Sequence, residues 1–221
     1  GSSVASQAGC AARLQGARRP PEPPPVSFLQ PVTLKGRHAA LVPLSTEHLA
    51  GLQEATCDGD LATLWYTAVP SPEGMAAEIE RRLGLQAKDT MLPFTVLDAD
   101  GRVAGMTTYM NVDGANRRVE IGSTWYAKRV QRSGLNTECK LMLLTHAFEA
   151  LNCIAVEFRT HRLNTQSRRA IERLGAQLDG ILRAHQISPN GSLRDTAVYS
   201  ITAAEWPTVR AHLQFQLRKP R

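Results

Sequence analysis

Glu120-Ile121-Gly122-Ser123-Thr124-Trp125-Tyr126-Ala127-Lys128-Arg129-Val130-Gln131-Arg132-Ser133-Gly134-Leu135-Asn136-Thr137-Glu138 is the stretch whose reading decides the fold. A strand-like run ends near Tyr126. It passes into a loop with basic residues and one glycine, and the loop opens an apolar helix. The first amides of such a helix have no partner within it and point outward. The helix dipole adds partial positive charge at the same end. Together they form an anion site suited to a pyrophosphate. By itself the signal is weak, because a glycine between strand and helix is usually a turn. The loop is neither G-x-x-x-x-G-K-[ST] nor G-x-G-x-x-G, which argues against a P-loop and a dinucleotide fingerprint.

Downstream, Leu135 to Leu151 reads as the clearest helix in the chain. Glu138, Thr145, Glu149 and Asn152 form a narrow polar stripe, and the wide remainder is apolar. Such a helix has to pack into a sheet. A strand at Ile154–Phe158 follows, then a helix at Asn164–Leu174 with Gly175 as its stop. Strands at Leu178–His185 and Ala197–Ile201 flank Pro189-Asn190-Gly191, and Glu205–Leu217 is a terminal helix.

Upstream, Val32–Leu34 and Ala39–Leu44 read as strands around a Lys35-Gly36-Arg37 turn. Ser45 and Thr46 offer caps for a helix running toward Cys57, broken by Asp58-Gly59-Asp60. Ser71-Pro72-Glu73-Gly74 opens a second helix that ends before Lys88. Leu92–Leu97, Val103–Met110 and Val119–Tyr126 are strands, joined by an Asp98–Gly101 turn and an Asn111–Asn116 loop. Short connections make these three antiparallel.

The chain has 221 residues, 43% hydrophobic and 21% charged, enough apolar material for one sizeable core. The formal charge of +6 favours a polyanionic or phosphorylated partner without choosing one. Much of the excess sits in Arg13, Arg18 and Arg19, and in the stretch Arg159–Arg173. The four cysteines form no C-x-x-C pair and complete no zinc pattern, so we expect no metal site and no disulfide, hence a reducing, cytoplasmic setting. No run approaches 18 apolar residues, so no membrane partner is expected. Basic residues are not interleaved with aromatics in a nucleic-acid motif, so no nucleic-acid partner is expected. Gly1-Ser2-Ser3 looks like a tag remnant, and residues 1–28 read as a Pro/Arg-rich leader. An Arg-rich leader can be a transit peptide, but this one lacks the amphipathic pattern. Residues 29–221 read as one domain.

Gln131-Arg132-Ser133-Gly134-Leu135-Asn136 resembles the Q/R-x-x-G-x-G/A signature of the GNAT acetyltransferase superfamily, with Asn136 where Gly or Ala is usual. Asn164 through Leu174-Gly175-Ala176 resembles the family's N-x-x-S/A…L-G stretch, in the right order along the chain. Glu120-Ile121-Gly122 and Asn136-Thr137-Glu138 look like the RimJ/RimL branch. The resemblance runs over roughly Val32 to Trp206. It implies an α/β (α+β) GNAT fold: a mixed central sheet of six to seven strands, helices on both faces, and two splayed central strands. It also implies acetyl-CoA as donor cosubstrate and an acyltransferase that acetylates a primary amine.

The same resemblance suggests roles. Gln131, Arg132, Ser133, Gly134, Leu135, Asn136 and Thr137 would hold the pyrophosphate. Asn164 and Ser167 would face the pantetheine, and a backbone N–H around Trp125, Tyr126 and Ala127 would polarise the thioester carbonyl. Many relatives carry a tyrosine acid seven residues after the Asn. Ile171 stands there, so Ser167 becomes the candidate proton donor to the leaving thiolate, or simply a first-turn residue. Arg132, Arg168, Arg169 and Lys128 could meet phosphates. An alkyl amine titrates near 10, so a base is useful at neutral pH. Glu120 is the candidate base, against the alternative of an ion pair with Arg117 or Arg118. His161, Arg162 and His185 could line the acceptor side or be structural. Trp65, Tyr66, Tyr109 and Trp125 could wall an amine pocket or belong to the core. The expected acceptor is a small-molecule amine or amino acid. A peptide N-terminus and a non-catalytic acetyl-CoA-binding module are the alternatives, and a homodimer is compatible with the family.

Overall fold

The computed structural model describes residues 27–61 and 68–220. Its centre is an eight-stranded sheet in the order β1-β2-β3-β4-β5-β6-β8-β7. The strands are β1 (Leu34–Lys35), β2 (Ala39–Pro43), β3 (Leu92–Asp98), β4 (Val103–Asp113), β5 (Arg118–Tyr126), β6 (Ala155–His161), β7 (Gln177–Ile187) and β8 (Leu193–Thr202). The helices are α1 (Leu49–Cys57), α2 (Met75–Ala87), α3 (Gly134–Thr145), α4 (Thr165–Arg173) and α5 (Trp206–Arg218). The sheet is mixed, as expected: β5 and β6 run parallel, and every other neighbouring pair is antiparallel. It exceeds the expected six to seven strands because the two-residue β1 also pairs with β2.

Local chemistry explains the element ends. Ser45 accepts the Glu47 amide and, with His48, forms a capping box on a short 3₁₀ turn ahead of α1. Asp98 Oδ1 accepts the amides of Asp100 and Arg102, which tightens the β3–β4 turn. Gly175, at φ +102°, ends α4 in the left-handed conformation that disfavours a side chain.

Helices cover both faces of the sheet. The Thr95 hydroxyl meets His48 Nδ1 at 2.7 Å, so α1 lies over the face that Thr95 occupies. The Tyr109 hydroxyl donates to the Leu143 carbonyl, so α3 lies over the other face. The apolar side of α3, through Leu135, Cys139, Leu143 and Leu144, is fully packed into the core.

Two expectations about this helix need correction. It does not continue as an α-helix to Leu151: from His146 to Ala150 it loosens into a π-helical turn. Glu138 does not belong to a solvent-facing polar stripe. It is buried, and its Oε1 accepts the amides of His38 (2.6 Å) and Ala39 (2.9 Å) in the β1–β2 turn. A carboxylate among apolar neighbours is tolerated because it answers two main-chain donors that otherwise have no partner. Removing it leaves those amides buried. Glu138→Ala is therefore expected to cost roughly 3 kcal/mol, seen by calorimetry as a melting temperature about 6–12 °C lower. A shift under 2 °C would refute the assigned role.

Candidate active site

β5 and β6 pair over only three positions: Arg118↔Ala155, Val119↔Val156 and Glu120↔Glu157. Beyond them the strands part. β6 continues its pairing with β8, while β5 runs on to Tyr126 bonded only to β4. The splay therefore opens immediately after Glu120, below the Trp125–Ala127 segment where the sequence suggested it. Trp125, Tyr126 and Ala127 lie inside the opened stretch. Ala127 donates its amide back to Ala104 of β4 (2.8 Å), so by strand alternation the Tyr126 amide faces away from β4.

Glu120 sits at the floor of this opening, 3% exposed. Its partner in β4 is Met110, next to the Tyr109↔Ile121 pair that faces α3. The alternation puts Glu120 on the opposite face, that of α1 and α2. Asn111 Nδ2 donates to Glu120 Oε2 at 2.9 Å, and Arg159 Nε lies 3.7 Å from Oε1. Burial is the main cause that lifts the Glu120 carboxyl to about 7, with help from Glu157; Arg159, Asn111 and Arg194 oppose the shift. Arg118 instead pairs with Glu157 at 3.4 Å. Asn111 and Arg159 were not singled out as site residues. Asn111 is fixed by β4 running three residues further than its periodicity suggests, with φ +46°. Arg159 opens the basic stretch that the sequence did flag, but its pairing spans 39 residues.

The loop between β5 and α3 has a short 3₁₀ turn at Lys128–Val130, with Arg132 at φ +55°. Gln131 Nε2 donates to the Tyr126 carbonyl at 2.9 Å. Ser133 is the N-cap of α3 and accepts the Leu135 amide at 3.3 Å. Gln131, Arg132 and Ser133 are exposed at this helix start. Gly134 is buried against the His38 ring, where an added Cβ would lie 3.3 Å from ring atoms; its value here is close approach. Arg129 is held by Asp98 and the Val103 carbonyl, as a strut of the loop.

A cleft of about 830 Å³ runs from the start of α3 (Asn136, Thr137) along α4 (Arg173, Leu174) to α5 (Val209, His212). Asn136 Oδ1 is buried with no partner among the described residues. One turn further on, the Lys140 amine lies 6.0 Å from the Tyr126 ring centroid, and burial pulls it down to about 8. Lys140 was not foreseen, since a lysine inside an apolar helix reads as a surface residue.

α4 begins at Asn164, whose Oδ1 accepts the Ser167 amide at 3.1 Å; Ser167 is thus a half-buried first-turn residue. Arg168 is turned toward the protein: its Nε donates to the Tyr199 hydroxyl (2.9 Å) and Nη1 to the Arg162 carbonyl (3.2 Å). Arg169 is exposed. His161 is buried and its Nδ1 accepts the Leu163 amide, while exposed His185 meets the Thr196 hydroxyl at 2.9 Å. Trp65 and Tyr66 lie outside the described residues. Tyr109 is core, and Trp125 is buried. Among the described residues no cluster of His, Cys, Asp and Glu could hold a metal, and no helix is long and apolar enough to cross a membrane.

The family described as acetyltransferase (GNAT) domain matches residues 39–177. YdaF of Bacillus subtilis (strain 168), whose name assigns it provisionally to ribosomal N-acetylation, is 36% identical over 107 residues. That match covers 48% of this chain and 57% of YdaF, so the chain spans little more than half of that relative. A GCN5-related N-acetyltransferase from Brucella melitensis is 33% identical, with a TM-score of 0.76 over 86% of this chain and 87% of that one. RimJ of Mycobacterium smegmatis, solved with CoA-disulfide, shares the fold at 23% identity, with a TM-score of 0.71 over 84% of this chain and 94% of that one.

The raised Glu120 carboxyl has a consequence for stability. Its folded value, about 7, lies above the ordinary 4.5, so the neutral acid is the form the fold favours. That contribution is complete below about pH 4.5 and is lost as pH rises through 7. Glu120→Gln is therefore expected to gain melting temperature relative to wild type on going from pH 5 to pH 8. A difference that stays flat with pH would contradict the buried, neutral-leaning carboxyl.

Proposed function

The chain belongs to the GNAT acetyltransferase family, and from that premise we propose that it moves the acetyl group of acetyl-CoA to a primary amine by direct attack on the thioester. One observation carries the reading: a carboxyl held near neutrality at the point where β5 and β6 part. Glu120, lifted to about 7 chiefly by burial, takes the proton from the incoming ammonium, directly or through water. Asn111 holds one carboxylate oxygen, and the other lies 3.7 Å from Arg159 Nε.

Acetyl-CoA fits the residues present. Amides of the first turn of α3, with Gln131, Arg132, Ser133, Gly134, Leu135, Asn136 and Thr137, would hold its pyrophosphate. Asn136, whose buried Oδ1 has no partner among the described residues, lines the head of the cleft. When bound, the coenzyme supplies an activated acyl group. In the opened part of β5, the Tyr126 amide would polarise the acyl carbonyl, a donor worth about 3 kcal/mol in comparable oxyanion sites. Ser167, in the first turn of α4 capped by Asn164, would return a proton to the departing thiolate; Arg168 braces α4 against Tyr199.

The acceptor we favour is a small-molecule amine or amino acid. Acetylation of a protein N-terminus is the second reading, supported by the ribosomal designation of YdaF. A binding module without turnover is disfavoured by a titrating carboxyl kept at the splay.

Thiol release, measured over a panel of amines and N-terminal peptides, tests the proposal. For wild type, kcat/KM is expected to rise with pH through an inflection near 7. Glu120→Gln should lose about 10²–10⁴-fold in kcat/KM, and Ser167→Ala about tenfold, both with acetyl-CoA affinity kept. Normal acetyl-CoA binding with no thiol release from any amine would point to the binding module instead.

A further inference from the structure

A second cavity, of about 400 Å³, lies between α2 and the splayed part of β5. Ala68, Val69, Pro70, Glu78, Arg82 and Ser123 are among its walls. It opens on the α1/α2 side of the sheet, which is also the side Glu120 faces. Ser123 is three residues beyond Glu120 on β5, roughly 10 Å along the strand.

Arg82 is unusual among these walls. Its side chain is 2% exposed, yet it borders open space. Nε donates to Glu78 Oε1 at 2.8 Å and Nη1 to the Ser123 carbonyl at 3.1 Å, which uses two of five N–H donors. Glu78 is shared: Arg81 takes both of its oxygens, at 2.7 and 3.0 Å. Two guanidiniums thus answer one carboxylate, leaving the wall with one positive charge in excess. The excess charge is that of exposed Arg81, while the remaining Arg82 donors border the cavity, where a ligand carboxylate could accept from them. The backbone is shaped for this arrangement. Ser123 holds φ +48°, within the register shift between the Thr108↔Gly122 and Met106↔Trp125 pairs, and its carbonyl meets Arg82 there. Strain of this kind persists where the surroundings require it.

We propose that this cavity receives a carboxylate of the acceptor, held by the Arg82 guanidinium, while the same molecule presents its amine at Glu120. The inference rests on the acetyl-transfer reading above and narrows its acceptor class. The separation along β5 is too long for an α-amino acid, whose two groups share one carbon. It suits an amine and a carboxylate held apart by a spacer of several atoms. An ω-amino acid and a peptide N-terminus followed by an acidic side chain both present that chemistry.

The test compares acids with their neutral amides. The probes are ω-amino acids of two to six carbons against the matching amides, and a Ser-Glu against a Ser-Gln tetrapeptide amide. Thiol release gives kcat/KM, and calorimetry gives binding of the same probes. For wild type we expect at least a tenfold preference for the acid, growing with spacer length in the first set or appearing in the second. The acid-to-amide ratio should fall to near one in Arg82→Gln and lie between in Arg82→Lys. Should Arg82→Gln fail to fold, Arg81→Gln, which alters the same charge balance from a half-exposed position, should lower the ratio. Acetylation of neutral amines with a wild-type ratio of one or less overturns the carboxylate site and leaves acetyl transfer standing. Carboxylate-dependent binding lost in Arg82→Gln, without turnover of any amine, sinks acetyl transfer and keeps the site. Neither turnover nor carboxylate-dependent binding overturns both.

Discussion

Two neighbouring strands that stop pairing govern this molecule. β5 and β6 share three residue pairs and then separate, which leaves the main chain of β5 from Ile121 onward without a partner on one side. Unpaired backbone groups inside a protein are expensive unless something answers them. Here part of the answer is internal: the Tyr126 carbonyl takes a bond from Gln131, and α3 covers the Tyr109 face of the sheet with Leu135, Cys139 and Leu143 packed into the core. What is left is a slot with donors along one wall, an outward-facing helix start at one end and a carboxyl at its floor. Those are the requirements for holding an acyl carrier and deprotonating an amine beside it.

The rest of the fold maintains that slot. The two faces of the sheet are divided between jobs: α3, α4 and α5 border the large cleft, and α1 and α2 border the face to which Glu120 points. Glu138 ties the start of α3 to the β1–β2 turn, and Arg129 ties the preceding loop to Asp98. Both are charged groups used as struts far from the chemistry. The Arg168–Tyr199–Glu172 chain does the same for α4. The helix start that would receive phosphate is thereby tied on two sides, at Glu138 and at Arg129.

The local patterns were readable from the sequence because each is a short-range effect. The Asp98–Gly101 turn, the Ser45 cap, the Gly175 stop and the loop opening at Ser133 all depend on neighbours a few residues away. What could not be read depends on pairing across the sheet. Glu138 looked solvent-facing because helical periodicity does not know where β1 and β2 lie. The ion-pair alternative for Glu120 names its neighbours Arg117 and Arg118, whereas the parallel β5–β6 register brings Arg159 to it and gives Arg118 to Glu157. Lys140, a buried cation on α3, was hidden because helical periodicity alone does not show what packs against it. Asn136 is an instructive intermediate. Its departure from the expected small residue was visible, but its buried and unanswered oxygen was not.

The central claim is that the opened edge of β5 and the first turn of α3 grip one and the same molecule. A crystal structure of the complex with acetyl-CoA tests it most directly. The account predicts the diphosphate against the amides that follow Ser133 and the acyl oxygen within hydrogen-bond distance of a main-chain N–H between Ile121 and Tyr126. A coenzyme bound elsewhere, or seated at the helix with its acyl group directed away from β5, would contradict it.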